Sequence, residues 1–245
     1  MDETKLIISK TLDLADGCRK KYYPEFSKFL DIKQQAAVKN IKFPGCTYFS
    51  YGGYEDAERK VIGCFPNDYD YDETLFPISI LKLTPSEPEG LTHRDYLGSL
   101  IGLGIKRECV GDIVINKDVA YLFCTEEIQK FILLNLKRIG NRSVIVQECC
   151  QPEIPEKKFK RASGTVASPR IDCVLGFAMN TSRSRAEEFI KGGKVMINYT
   201  ETDSVSQKLK PGDTVSVRGF GKFLYAESNG NTKKGRLKIE IDIYS

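Results

Sequence analysis

The stretch 169–193, PRIDCVLGFAMNTSRSRAEEFIKGG, runs directly into KVMIN at 194–198 and reads as two short helices followed by a strand. Ser168 is expected to cap the first helix with Pro169 at its first position. Ile171, Val174, Leu175, Ala178 and Met179 then recur with the spacing of a single buried stripe. Thr181 or Ser182 caps the second helix, which buries Ala186, Phe189 and Ile190 and stops at Gly192-Gly193. The joint between the helices is about two residues long. Val195 and Ile197 alternate with polar neighbours, as in a strand with one face on a core.

Arg183 and Arg185 fall on the first turn of the second helix, beside Ser182 and Ser184. Cations are unfavourable there, because the first backbone N–H groups are unpaired and the dipole is positive. The placement makes sense if an anion such as a phosphate docks. The alternative is a solvated turn in which Glu187 and Glu188 pair the arginines at helical spacing.

Charge is divided along the chain in the same sense. The net charge is +4, but residues 157–245 carry 17 Lys+Arg against 9 Asp+Glu, a net +8, and residues 1–156 carry 20 against 24, a net −4. A basic C-terminal part is what an electrostatic footprint for nucleic acid looks like.

Arg170-Ile171-Asp172, then Ser182-Arg183-Ser184-Arg185-Ala186, Ile190, Gly193, Val195, Ile197-Asn198, and later Gly212-Asp213 with Val215, Val217 and Arg218, resemble the small RNA-binding domain named after ribosomal small-subunit protein four. The resemblance implies that the two-helix face and the following strand lie on structured RNA. The residues it implicates are Arg170, Ser182, Arg183, Ser184, Arg185, Lys191, Lys194, Arg218 and Lys222. One departure is Tyr199, where many members carry glycine; a longer turn through Thr200 to Asp203 is expected there.

Upstream of this domain, 151–168, QPEIPEKKFKRASGTVAS, has no apolar periodicity and reads as a basic linker, either a solvated tether or a further phosphate contact. Between Ile78 and Glu148 the order is β-α-β-β-α-β. ISILKL is a strand, and Thr92 with Asp95 caps a helix that ends before Gly104. DIVIN and VAYLFC are strands, Thr125 caps a helix with Lys137 and Arg138 in its last turn before Gly140, and SVIVQ closes the set. That order is the ferredoxin-like plait shared by many RNA-binding modules. Tyr121 and Phe123, two apart on one strand, could stack bases, but the rest of that signature is missing, so core or partner contact is favoured.

The first 75 residues read as a separate α+β unit. It has an N-terminal helix through Leu6, Ile7 and Leu14, a second helix opening at Pro24 and running towards Lys39, and strands CTYFSY and VIGCF. The acidic run 67–73 is a solvated loop lacking the glycine and distal glutamate of a calcium loop. At the far end, Leu237, Ile239, Ile241 and Ile243 alternate with polar residues as a closing strand. The hairpin before it is expected to have its tip at Asn229-Gly230-Asn231.

The fold class expected is therefore α+β in four parts: an α+β unit at 1–75, a ferredoxin-like plait (of the RNA-recognition-motif type) at 76–150, a basic linker at 151–168, and a small domain of two helices and a short sheet at 169–245.

No catalytic signature accompanies these parts. Hydrolase, zinc-protease, phosphate-loop and dinucleotide motifs are absent, and the single histidine, His93, sits in a capped first helical turn. The eight cysteines form no C-x-x-C pair, which excludes the usual zinc spacing, and no cofactor, metal or disulfide frame is expected. No apolar run approaches the ~20 residues that span a bilayer. The N-terminus resembles neither a secretory signal nor a transit peptide, so a cytoplasmic monomer without a membrane partner is expected.

The segment LTHRDYLGSLIGLGIKRECVGDI at 91–113, the N-terminal α+β unit and the ending SVRGFGKF at 216–223 together resemble the bacterial YlmH family along nearly the whole chain. That resemblance implies a non-catalytic, ribosome-associated RNA-binding protein acting in quality control of stalled nascent chains, with large-subunit rRNA, tRNA and the large ribosomal subunit as partners. Two other readings stand beside it. One is an rRNA-modifying enzyme, of pseudouridine synthase or methyltransferase type, that uses the last domain for delivery. The other is an interaction module linked to cell division.

Overall fold

A computed structural model describes residues 3–39, 41–156, 159–232 and 235–244. The chain divides into two compact units, Met1–Pro155 and Glu156–Ser245.

The first unit begins with α1 (Glu3–Lys21), β1 (Glu25–Phe26), α2 (Ile32–Val38), β2 (Cys46–Tyr51) and β3 (Val61–Pro66). The strands form an antiparallel sheet in the order β1-β3-β2. Against it α1 buries Ala15 and Cys18, with Val38, Phe43, Cys46, Ile62 and Cys64. The expected helix from Pro24 is replaced by β1. Glu25 and Phe26 pair with Cys64 and Gly63, and the Phe26 ring packs edge-on against Phe65 and Phe76. The helix starts only at Asp31, whose carboxylate accepts from Gln34 N while the Gln34 side chain accepts from Asp31 N.

The plait follows: β4 (Ile78–Pro85), α3 (His93–Gly102), β5 (Val110–Asn116), β6 (Val119–Thr125), α4 (Glu126–Asn135), β7 (Arg138–Ile139) and β8 (Arg142–Glu148). The strand order β5-β6-β4-β8-β7, antiparallel throughout, is the ferredoxin-like topology with a short added edge. The Thr92–Asp95 capping box forms as expected. Helix α4 ends earlier than its charge pattern suggested. Leu136 is buried, and Arg138–Ile139 turns through Gly140 (φ +56°) to pair with Ser143 and Arg142.

Period-two alternation on β6 sends Leu122 and Cys124 towards α3 and α4. Tyr121 and Phe123 face the other way, into a cluster with Phe29, Val61, Phe65 and Phe76 from the first 76 residues. The chain approaches this face closely. A Cβ on Gly53 (φ +97°) would lie 2.4 Å from the Phe123 ring, and one on Gly111 would lie 2.6 Å from Phe29. The Tyr54 ring stacks 4.9 Å from Phe123, and its hydroxyl donates to Asp112 at 2.9 Å. Arg59 Nε and Nη2 donate to the carbonyls of Val110 (2.9 Å) and Phe29 (3.0 Å). The division expected at 75/76 is therefore no boundary between compact bodies, because the two segments share a core.

The second unit contains β9 (Phe159–Val166), α5 (Ile171–Ala178), α6 (Arg183–Lys191), β10 (Val195–Ile197), β11 (Thr200–Glu201), β12 (Thr214–Val217), β13 (Gly221–Asn231) and β14 (Leu237–Tyr244). These strands form one six-stranded antiparallel sheet, ordered β11-β10-β12-β13-β14-β9, with α5 and α6 sharing its core. The second half of the supposed linker is β9, which pairs residue for residue with β14 from Val166↔Leu237 to Phe159↔Tyr244. Small residues hid its periodicity. Ala162, Gly164 and Val166 are its inward positions, and Phe177 lies directly on Gly164. The other end of that stretch belongs to the first unit, where Ile154 packs on the aromatic cluster and Glu153 O accepts from Asn116 Nδ2. Lys157 and Lys158 lie outside the described residues. The β13–β14 hairpin turns later than expected: 229–231 are still strand, and the turn closes through Thr232 and Gly235.

Candidate nucleic-acid interface

Helix α5 takes Arg170, not Ser168, as its N-cap, because Pro169 O and Ile171 N are tied to Leu209 N and Gln207 O and hold the chain extended until Arg170. The expected stripe is nonetheless in place, with Ile171, Val174, Leu175 and Ala178 buried. Asn180 and Thr181 join its C-cap, Met179, to Ser182, whose Oγ accepts from Arg185 N at 3.2 Å and caps α6. On the buried side of α6 are Ala186 and Ile190.

Asp172 is completely buried, and its carboxylate is clamped from two sides. Arg170 donates from Nε (3.1 Å) and Nη2 (2.9 Å), and Arg183 donates to Oδ2 from Nε at 2.7 Å with Nη2 at 2.6 Å. Cys173 N adds a further hydrogen bond at 2.9 Å. Burial alone would raise this carboxyl, but the hydrogen bonds and charges of Arg170 and Arg183 outweigh it and hold it below the ordinary range. The anion that makes Arg183 tolerable at a helix N-terminus thus includes one supplied by the chain. Arg170 and Arg183 remain 32% and 53% exposed, so the clamp leaves part of each guanidinium at the surface.

The remaining cations form a different group. Arg185 pairs with Glu188 and lies 5.5 Å from the centre of the Phe189 ring, while Lys194 Nζ lies 5.3 Å from it. Lys191 pairs with Glu187 at 3.5 Å. Arg218 N donates to Lys194 O at 2.9 Å, which brings the β12–β13 turn beside the start of β10, with both side chains exposed. Arg185 and Lys194 therefore share the Phe189 ring, with the backbone of Arg218 beside Lys194 and Lys191 further along α6 on Glu187. Ser184 is exposed on α6.

Lys222 stands apart on the outer side of the sheet. Its Nζ donates to Tyr199 Oη at 2.8 Å and lies 5.0 Å and 5.5 Å from the rings of Tyr199 and Tyr244. The turn before it is not lengthened: Ile197 pairs with Thr200, and Asn198 and Tyr199 occupy a two-residue turn with φ +47° and +66°. That is the primed hairpin geometry which glycine normally supplies. Sequence reasoning missed the clamp carboxylate and the ring between the cations, although the Arg170-x-Asp172 spacing and Phe189 one turn after Arg185 were both visible.

Residues 171–215 match the S4 domain. Residues 66–153 match the family described as "Putative RNA-binding domain in YlmH". The chain is also 25% identical over 244 residues to "Ribosome-associated protein quality control protein P2" of Bacillus subtilis (strain 168), covering 98% of this chain and 95% of that protein. The chain carries the YlmH-type RNA-binding domain followed by an S4 domain. Among solved structures, the fold is similar to that of "Cell division protein ylmH from Streptococcus pneumoniae", at 24% identity and a TM-score of 0.53, over 63% of this chain and 96% of that one. The S4 match ends before Arg218 and Lys222 and takes in neither β9 nor the β13–β14 hairpin. The RNA-binding domain match runs to 153, close to the end of the first compact unit. Among the described residues no helix is long and apolar enough to cross a membrane.

Proposed function

We propose that this chain is a non-catalytic RNA-binding protein of the ribosome, contacting large-subunit rRNA and peptidyl-tRNA during quality control of stalled nascent chains. The observation that carries the reading is the likeness along 98% of the chain to a relative whose name places it in ribosome-associated quality control. The geometry supports it. Arg185, Lys191, Lys194 and Arg218 are exposed cations of the second unit, two of them sharing the Phe189 ring, and Arg170 and Arg183 are pre-oriented on Asp172. Lysines and arginines neutralise phosphates, and a rigid helix pair fixes their spacing, so recognition is of RNA shape and charge more than of base sequence. By the same reading Ser182 acts chiefly through its cap, and Lys222 extends the footprint onto the sheet.

Sedimentation of the full chain with purified small subunits, large subunits and whole ribosomes across a salt series tests the proposal. Salt-sensitive association with the large subunit is expected, with cross-links to rRNA and tRNA mapping to the second unit. Equal recovery with every particle, or none at low salt, refutes it.

A further inference from the structure

The strands outside the S4 match build a second feature. The end of β9 and Arg236 before β14, with α5 and the start of α6, line an open cleft of about 320 Å³. One wall is the Phe177 ring, seated on the bare backbone of Gly164, where a Cβ would come within 2.2 Å of it. Arg183 and Arg236 line the cleft from two different elements. Each is held by the fold, Arg183 by Asp172 and Arg236 by donation from Nη2 to Thr165 O at 2.8 Å. Cys173 also lines it.

The size is at the small end of ligand sites, which run from about 300 to 1,000 Å³, so the room is for a single nucleotide unit. An aromatic wall suits the face of a base, and planar guanidinium groups suit a phosphate. A paired base inside a duplex could not enter. We propose that this cleft receives one unstacked nucleotide of the bound RNA, its base against Phe177 and its phosphate on Arg183 and Arg236. The proposal rests on the RNA-binding reading and deepens it: the α6 face docks folded RNA by charge and shape, and the cleft demands an unpaired nucleotide at one point.

Two measurements on the full chain test this. In the first, Cys173 reports on the cleft by its rate of alkylation with iodoacetamide, read by peptide mass, with the exposed Cys150 of the other unit as internal control. Adenosine 5′-monophosphate at about 10 mM is expected to slow Cys173 several-fold and leave Cys150 unchanged, with inorganic phosphate much less effective. No slowing, or equal slowing by phosphate alone, overturns the proposal without recourse to any variant.

The second measurement compares an RNA hairpin carrying one unpaired adenosine with its fully paired counterpart. The wild-type chain is expected to prefer the first, and Arg236→Ala to weaken it by about tenfold while changing the second by less than about twofold. Absence of the preference, or equal loss on both hairpins, overturns the cleft. Loss of ribosomal-subunit binding would instead remove the underlying reading, so the two failures are distinct.

Discussion

Each unit of this protein has an aromatic and a basic complement, and the two dispose of them in opposite ways. In the first, Tyr121 and Phe123 stand on a plait strand where other RNA-binding modules stack bases, yet both are buried under Phe29, Val61, Phe65 and Phe76. In the second, Phe189 lies between Arg185 and Lys194 on an exposed helix, and Lys222 lies between Tyr199 and Tyr244. Similar residue types are core in one place and surface in the other. The difference lies in whether the chain supplies its own cover: the loop 52–60 latches onto Asp112 and Val110 and closes the plait's open face. A fold shared with RNA-binding modules therefore does not bring their binding face with it.

The largest test of this contrast is Phe123→Ala. It should cost the first unit about 3–5 kcal/mol, read as the shift of its denaturant transition, with RNA affinity of the folded protein unchanged. A drop in affinity at conditions where the variant is folded would break the comparison by giving the buried face a role in binding.

Asp172→Ala should destabilise the second unit by about 3 kcal/mol, since two arginines lose a common buried partner. The pH dependence has a definite sign. The folded carboxyl lies below its free value of 3.8, so the unfolded chain binds more protons in that window. The stabilisation is complete above about pH 4–5 and is lost as pH falls through the folded value. Unfolding of the wild type should be steeper in acid than that of Asp172→Ala, and parallel curves would refute the clamp.

Smaller and more diagnostic is the pair Arg183→Ala and Arg185→Ala. Arg185→Ala should lower the salt slope of RNA binding by about one and leave unfolding unchanged. Arg183→Ala should move both quantities, because it uncovers Asp172. Of the two arginines, only Arg185, whose partner Glu188 is exposed, is therefore expected to be removable without touching the fold. Smallest of all, Tyr199→Gly should alter the second unit's stability by less than about 1 kcal/mol, as relief of the left-handed backbone offsets the lost contact with Lys222. A larger loss, measured by thermal unfolding, would mean the ring is held by more than that lysine.

Much of the architecture was legible because it is written in local signals. The stripe on α5, the Ser182 cap, the Thr92–Asp95 box and the β-α-β-β-α-β order all depend on near neighbours. Errors gathered where a distant partner decides. Glu25–Phe26 became a strand because β3 was there to pair with it, and Arg138–Ile139 left its helix for β8. Strand β9 was unreadable because its inward face is alanine, glycine and valine, whose burial is favourable only beneath Phe177 and beside β14. The site was half legible for the same reason. Basic residues at a helix start announce an anion, but nothing local says that one such anion is the chain's own Asp172, eleven residues before Arg183.

By itself, then, the sequence determined the types and order of most elements, the charge asymmetry and the two domain matches, since periodicity, caps and motif spacing are properties of the chain read in order. Only the tertiary structure decided which aromatic residues are covered, which arginine is spoken for, and that a stretch rich in proline and lysine ends as an edge strand. Those outcomes depend on groups far apart in sequence excluding the same water, and desolvation is a property of the packed whole.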